Sequence, residues 1–386
     1  MGIGIEKIGF YTPNKVLYLE DLAQARHVDP NKFRVGIGQD EMSVSDGSQD
    51  CVSMAINATL DYLSDADRAK VGLLILGTES GVDQSKSASL FVKSALKLPN
   101  NLRTFEVKEA CFGLTAGVAI AHDYIQTHPE KTAIVIGSDL ARYGLKTPGE
   151  PTQGAGSISL MISNHPRLIQ FEPGHASYSE DIDDFWRPDD QLFPLVSGKY
   201  STESYLKFFK KTFQAYKDSC GLNTSDFKAI CYHLPFTKMG FKANEIACDH
   251  QPAAIQERLR TNFTLSAKYT RRVGNIYTGS LWLSFLSLVK NGTFELDDRI
   301  GFFSYGSGAV AEFFSAKVCP DYQNALLTSK HLAKLMNRQR LTVPEYERLF
   351  NLPLMSSKEM SLTSDEASGF WYFAGCHQQI RQYRQI

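Results

Sequence analysis

Phe105 to Gly117 reads FEVKEACFGLTAG and places a cysteine where an extended run turns into a helix. Arg103–Lys108 alternates as a strand does. Phe112–Gln126 is rich in Ala, Gly, Leu, Val and Ile with no charge before Asp123, the pattern of a buried helix. A thiol in the first turn of such a helix faces unpaired backbone N–H groups and the positive end of the helix dipole, and both favour the thiolate. Cys111 is therefore a candidate nucleophile. The competing reading is a small buried hydrophobe, the commoner role of a free cysteine.

Upstream, Ile3–Tyr11 reads as a strand, Leu19–Arg26 as a short helix and Ser48–Leu63 as a longer one. VGLLIL at Val71–Leu76 is a short apolar run of the kind found in buried parallel strands, and Glu79 lies just past its end. A helix over Lys86–Leu98 leads into the Cys111 unit. Downstream, TAIVI at Thr132–Ile136 gives another buried strand, and the Gly-, Pro- and Thr-rich stretch Tyr143–Gly156 ends in a glycine turn entering a strand. Strand and helix alternate throughout, which predicts an α/β fold around a mostly parallel sheet covered on both faces.

The second half replays the first. After a polar, aromatic segment at Ser177–Tyr200 and a helix at Ser201–Cys220, AICYHL at Ala229–Leu234 ends at His233 as VGLLIL ends near Glu79. Asn275, in GNIYTGSLWLSFLSLV, precedes an apolar helix as Cys111 does. Arg299–Tyr305 mirrors the Thr132 strand, and GSGAVAEFF resembles GAGSISLMI. Four matches in one order at an offset of about 150 residues indicate an internal duplication. The division falls near residue 166, giving an N-terminal half 1–165 with Glu79 and Cys111 and a C-terminal half 166–386 with His233 and Asn275. Two like halves bring those four residues toward one axis, at the strand and helix ends where α/β sheets place ligands. Residues 320–386 add helical pieces and an aromatic strand at Gly369–Ala374.

Composition narrows the function. The 386 residues carry a formal net charge of −1 with 43% hydrophobic residues, which argues against a general nucleic-acid or membrane-surface role. No apolar run approaches the ~18 residues of a membrane span, and Met1–Phe10 lacks the basic and apolar regions of a signal peptide. A cytoplasmic protein is expected. Seven cysteines without framework spacing fit free thiols in a reducing compartment. Cys231-x-His233 and Cys248-x-His250 raise a zinc site, but no Cys-x-x-Cys accompanies them and the first pair alternates faces on a strand. QGAGS lacks the Gly-Lys-Ser/Thr ending of a phosphate-binding loop.

Five motifs together carry a resemblance: EACFG around Cys111, GTES around Glu79, YHLPFTKMG around His233, GNIYTGS around Asn275 and SYGSG around Ser307. With EPTQGAG and the Ser201 helix, they resemble the 3-hydroxy-3-methylglutaryl-CoA synthase family, in its bacterial form, within the thiolase superfamily. The resemblance covers nearly the whole chain. It implies a five-layered αβαβα fold, a homodimer and condensation of acetyl-CoA with acetoacetyl-CoA in the mevalonate pathway. Metal and redox cofactors are not implied, and the CoA thioesters are substrates.

The chemistry needs these residue types. Acetyl transfer between thioesters suits a cysteine, both nucleophile and leaving group. A carbanion from the acetyl methyl needs a base, for which Glu79 is the candidate, and an oxyanion site, for which the backbone N–H groups of Cys111 and Ser307 are candidates. The acceptor ketone must be polarised, a task for His233 as proton donor with the Asn275 amide. Lys238 and Lys242, four apart, share one helix face behind His233. The resemblance makes them CoA contacts, with Thr152 and Ser201 near the acyl and pantetheine part and Asp29 near the nucleotide. Pro30 stands where eukaryotic members have alanine. A ketoacyl-carrier-protein synthase III also uses Cys, His and Asn, but its decarboxylating chemistry needs no glutamate base; a thiolase would show a second active-site cysteine motif.

Overall fold

The computed structural model describes residues 2–320, 322–352, 359–364 and 367–386. Its spine is one ten-stranded sheet. The order runs Ala229–Tyr232, Arg299–Gly306, Val310–Val318, Ile169–Phe171, Gly4–Tyr11, Gly154–Ser163, Thr132–Ala141, Val71–Gly77, Arg103–Val107, with Ala176–Ser179 also on Val310–Val318. The two wings have one topology. In the first, the Val71 strand runs parallel to the Thr132 strand, which pairs antiparallel with Gly154–Ser163, which pairs antiparallel with Gly4–Tyr11. In the second, Ala229–Tyr232 runs parallel to Arg299–Gly306, followed by Val310–Val318 and Ile169–Phe171, both antiparallel. Gly4–Tyr11 and Ile169–Phe171 pair and join the wings.

Alternation along the strands sorts side chains into layers. Leu73, Ile75, Ala133 and Val135 enter the same central core as Cys231, Ile300 and Phe302, together with the helices Gly113–Thr127 and Ser280–Asn291. Leu74, Leu76, Ile134 and Ile136 point the other way, against Cys51–Thr59 and Ala88–Ala95. Ile230, Tyr232, Phe303 and Phe313 point toward Gly198–Cys220 and Thr237–Cys248. The result is five layers, αβαβα, with two apolar helices at the centre. Those helices are the ones that follow Cys111 and Asn275.

The sheet is not mostly parallel, as strand–helix alternation predicts. Only the pairs joining Val71–Gly77 to its two neighbours and Ala229–Tyr232 to Arg299–Gly306 are parallel. Every residue of Gly154–Ser163 is buried although both its partners are antiparallel. An apolar run reports burial on both faces, and here helices cover both faces whatever the strand direction. The C-terminal segment also departs from a simple second half: Gln339–Arg340 pairs with Lys15–Tyr18, and the Phe373 N–H donates to Ser48, so the end of the chain packs on the first half.

Candidate active site

The end of the Val71 strand and the starts of the helices that follow Cys111 and Asn275 meet at the middle of the molecule. Gly77 ends the Val71 strand against the start of the Cys111 helix; a Cβ there would stand 2.5 Å from the Gly113 carbonyl carbon and 2.6 Å from the Leu114 nitrogen. This contact sets Glu79 beside Cys111. The Cys111 thiol donates to Glu79 Oε1 at 2.9 Å. Ala110 holds φ at 41°, a left-handed value that a β-carbon disfavours, and so turns the chain sharply into Cys111.

Both groups retain some exposed surface, yet enclosure of their ionisable ends raises both. Glu79 is pushed up to about 8, first by burial and then by the Asp139 carboxylate. The Cys111 thiol is pushed well above its usual range, first by burial and then by Glu79. The helix-end argument for a thiolate is therefore corrected. The helix begins at Gly113 with Phe112 as its cap, so Cys111 lies just outside the first turn, and desolvation outweighs the dipole. The resting pair is a thiol bonded to a carboxyl of high proton affinity.

Asn275 enters the same network from the other half. Its Nδ2 donates to the Tyr143 hydroxyl at 2.9 Å, and its Oδ1 accepts from the Tyr277 N–H at 2.9 Å and from Ser280 Oγ at 2.8 Å. The Asn275 N–H donates to the Thr152 carbonyl at 3.2 Å, which puts Thr152 at this site. Tyr143 feels the charges of both Cys111 and Glu79, after burial, in its raised proton affinity. Asp139 ties the halves together: Oδ1 accepts from Thr78 Oγ1, the Glu79 N–H and Ser80 Oγ, while Oδ2 accepts from Thr278 Oγ1 at 2.5 Å and the Thr278 N–H at 3.2 Å. Burial pushes Asp139 up to about 6 in spite of these donors.

The Ser307 turn closes on Cys111. At Gly306 a Cβ would lie 2.7 Å from the Glu109 oxygen and 2.8 Å from Phe112 Cβ, so only glycine lets the turn approach this closely. Asp184 fixes the turn from outside, accepting from the Gly308 N–H at 3.0 Å, the Tyr305 hydroxyl at 2.9 Å and Ser201 Oγ at 3.1 Å. Ser201 and Ser307 are thus brought together.

His233 follows the Ala229 strand as Glu79 follows the Val71 strand. It is buried, with 1% of its surface exposed, and burial pushes it down to about 3, so the ring is neutral at neutral pH. Its N–H donates to the Phe303 carbonyl at 2.8 Å, and its carbonyl accepts from the Tyr205 hydroxyl at 2.7 Å. Nδ1 is buried without a partner, and no hydrogen bond joins the ring to Glu79, Cys111 or Asn275 among the described residues. Lys238 and Lys242 lie on Thr237–Cys248, Lys238 with its ammonium 4.5 Å from the Phe241 ring centre and Lys242 exposed. Gln39 binds the Thr237 hydroxyl at 2.9 Å and so docks the segment after Asp29 on the same helix. Asp29 itself is exposed, its Oδ1 accepting from the Asn31 N–H at 2.9 Å. Cys231 enters the central core and Cys248 the outer one, and among the described residues no group of three or more His, Cys, Asp or Glu side chains is placed to hold a metal ion.

Tyr143, Asp139 and Asp184 are site residues that the sequence reading passed over. An aspartate inside the apolar run TAIVIGSDLA was a usable signal for one of them.

The family model described as "Hydroxymethylglutaryl-coenzyme A synthase N terminal" matches residues 1–166, and the corresponding C-terminal model matches 252–384. The chain is 41% identical to hydroxymethylglutaryl-CoA synthase of Enterococcus faecalis over 100% of both chains. It is 33% identical to the polyketide-biosynthesis 3-hydroxy-3-methylglutaryl-ACP synthase of Bacillus subtilis, covering 90% of this chain and 87% of that one. A crystal structure described as HMG-CoA synthase complexed with CoA superposes with a TM-score of 0.96 at 39% identity, covering 100% of each chain.

Proposed function

The chain belongs to the hydroxymethylglutaryl-CoA synthase family, enzymes of thiolase fold that condense acetyl-CoA with acetoacetyl-CoA, and we propose that it does so through an acetyl group carried on Cys111. The observation that carries this reading is the hydrogen bond from the Cys111 thiol to Glu79, a nucleophile and a base in one contact. In the first step the thiol attacks the acetyl thioester, its proton passes by way of Glu79 to the departing CoA thiolate, and CoA leaves. Glu79, ionised, then takes a proton from the acetyl methyl. The backbone N–H groups of Cys111 and Ser307 stabilise the enolate oxygen.

The enolate carbon attacks the ketone of acetoacetyl-CoA. His233, neutral by burial, donates an N–H to the ketone oxygen beside the Asn275 amide; the proton that the forming alkoxide takes through this N–H is made up by the one Glu79 removed from the methyl, so the ring ends neutral and Glu79 ionised. Water then cleaves the Cys111 thioester, giving 3-hydroxy-3-methylglutaryl-CoA and restoring the thiol. These side chains complete the proton balance without a metal or redox cofactor. Lys238 and Lys242 meet the CoA phosphates, Asp29 the nucleotide, and Thr152 and Ser201 the acyl and pantetheine arm. The product serves the mevalonate pathway, in the cytoplasm; among the described residues no helix is long and apolar enough to cross a membrane.

Two structural readings accompany the function. The chain divides near residue 166 into duplicated halves, which the two like wings of the sheet support. It works as a homodimer, for which the Arg103–Val107 strand offers a sheet edge that is unpaired among the described residues. The 33% identity to a 3-hydroxy-3-methylglutaryl-ACP synthase, and the 30% identity to an HMG synthase solved in complex with an acetyl donor-ACP, favour a second reading, with acetyl donated by a carrier protein. Mixing the purified protein with acetoacetyl-CoA and either acetyl-CoA or acetyl-carrier protein decides between them. Product from acetyl-CoA supports the first reading, product from the carrier protein alone the second, and product from neither donor rejects both.

A further inference from the structure

Phe185–Trp186 pairs antiparallel with Leu195–Val196, forming a short strap that crosses from one half to the other. Its stem is held in the second half by Asp184, bonded to Tyr305, Gly308 and Ser201, with the Ser197 N–H closing on the Asp184 carbonyl at 3.0 Å. The Phe185 ring lies 6.1 Å from Tyr143 and 6.0 Å from Tyr277. Phe193, at the far end, stacks on Phe350 at 5.7 Å. The residue after the first strand is Arg187. Asp189 and Asp190 are near in sequence, yet Arg187 forms no ion pair among the described residues; its guanidinium turns inward and donates from Nη2 to the Glu79 carbonyl.

We propose that Arg187 is a positioning residue for the condensation, a cation that the strap sets over the Glu79–Cys111 pair to hold the base in place and favour its ionised form. The inference rests on the reading of Glu79 and Cys111 given above. The charged surroundings of the pair give it force. Glu79 faces the Asp139 and Glu109 carboxyls and the Cys111 thiol, and Cys111 faces Glu79, Asp139 and Asp184; the Tyr143 and Tyr277 phenols close the ring. Each acid opposes negative charge on its neighbours, yet both chemical steps require it, on sulfur in the first and on the Glu79 carboxylate in the second. Arg187 is the cation that acts on Glu79 in this group. Because it comes from the strap and not from the catalytic loops, the seat of the strap fixes where this charge stands beside the base.

The test is the pH dependence, in the full-length protein, of two separately followed steps: acetylation by acetyl-CoA and discharge of the acetyl-enzyme by acetoacetyl-CoA. Arg187→Met removes the charge from an exposed side chain and keeps much of its length. It should displace the acidic limb of both steps upward by about half to one pH unit, as loss of a nearby opposite charge does, and slow them at neutral pH by up to about tenfold. Arg187→Lys restores charge without the planar fork, and should return the limb most of the way while leaving the rate below wild type. A limb that stays in place in Arg187→Met, with only KM altered, overturns the proposal and leaves Arg187 as packing for the strap. Wild-type protein that takes no acetyl group overturns this proposal together with the reading beneath it, so the two failures are told apart.

Discussion

Glu79 and His233 occupy the same place in two copies of one topology, the end of a strand parallel to its neighbour, and burial acts on them in opposite senses. Glu79 is driven up to about 8 and His233 down to about 3. Desolvation disfavours the charged form of any group, so the same enclosure makes a carboxyl hungry for a proton and an imidazole neutral. The pair of helix starts diverges likewise: Cys111 presents a nucleophile, Asn275 an amide held by Tyr143, Tyr277 and Ser280. In the proposed mechanism one half of the molecule makes and holds the carbon nucleophile, and the other receives the electrophile. A duplicated scaffold supplies two equivalent positions, and residue type together with desolvation decides which chemistry each performs.

The contrast between the two positions is largest at Glu79. Glu79→Gln keeps the size and loses the proton affinity, so condensation by the acetyl-enzyme should fall about a thousandfold, roughly 4 kcal/mol at ~1.36 kcal/mol per tenfold. Acetylation should fall by only about tenfold or less, since the leaving CoA thiolate can take the thiol proton. In wild type the condensation rate should rise with pH up to about 8, as the raised carboxyl ionises, and the variant should lose that limb. Equal loss in both steps would remove the distinction between base and bystander. On the other side, His233→Ala should cost about a hundredfold in condensation, within the range for one lost oxyanion donor, and leave acetylation intact. If acetylation falls equally, His233 belongs to the first half's chemistry and the division of labour fails.

Asp139 is where the halves communicate. Asp139→Asn replaces one acceptor oxygen by a donor, set either against Thr78 and Ser80 or against Thr278, and a buried mismatch of this kind costs about 1–3 kcal/mol. A lowered unfolding midpoint in thermal or denaturant melts and a loss of about tenfold or more in both partial reactions are expected. Unchanged stability would show that the halves hold together without it. The smallest effect is at the surface. Replacing Lys238 and Lys242 with Ala should raise KM for CoA substrates a few-fold, in keeping with ~1 kcal/mol for exposed charge contacts, and less so at high salt. An unchanged KM returns them to a solvated helix face.

Much of this is legible in the sequence. Apolar runs mark strand and helix ends, and Glu79, Cys111, His233 and Asn275 each sit at one; the structure bonds Cys111 to Glu79 and Asn275 to Tyr143, while the His233 ring makes no hydrogen bond to the other three among the described residues. Strand direction was not legible, because complete burial of Gly154–Ser163 writes the same apolar string in an antiparallel setting. Asp139 stayed hidden because the Thr132 strand continues five residues past the obvious run, to Ala141, and its partners come from both halves. Asp184 and Arg187 lie in a polar, aromatic stretch with no periodicity, and what they do is set by tertiary contacts alone. The thiolate expectation failed for a physical reason: a helix end was visible in the sequence, but the enclosure of the thiol and the carboxyl beside it was not.

The most direct test of the account mixes the purified protein with acetyl-CoA, digests it and reads the peptides by mass spectrometry. One acetyl group is expected on the peptide bearing Cys111, lost on addition of acetoacetyl-CoA as 3-hydroxy-3-methylglutaryl-CoA forms. A folded protein that takes no acetyl group, or takes it at a residue other than Cys111, contradicts it.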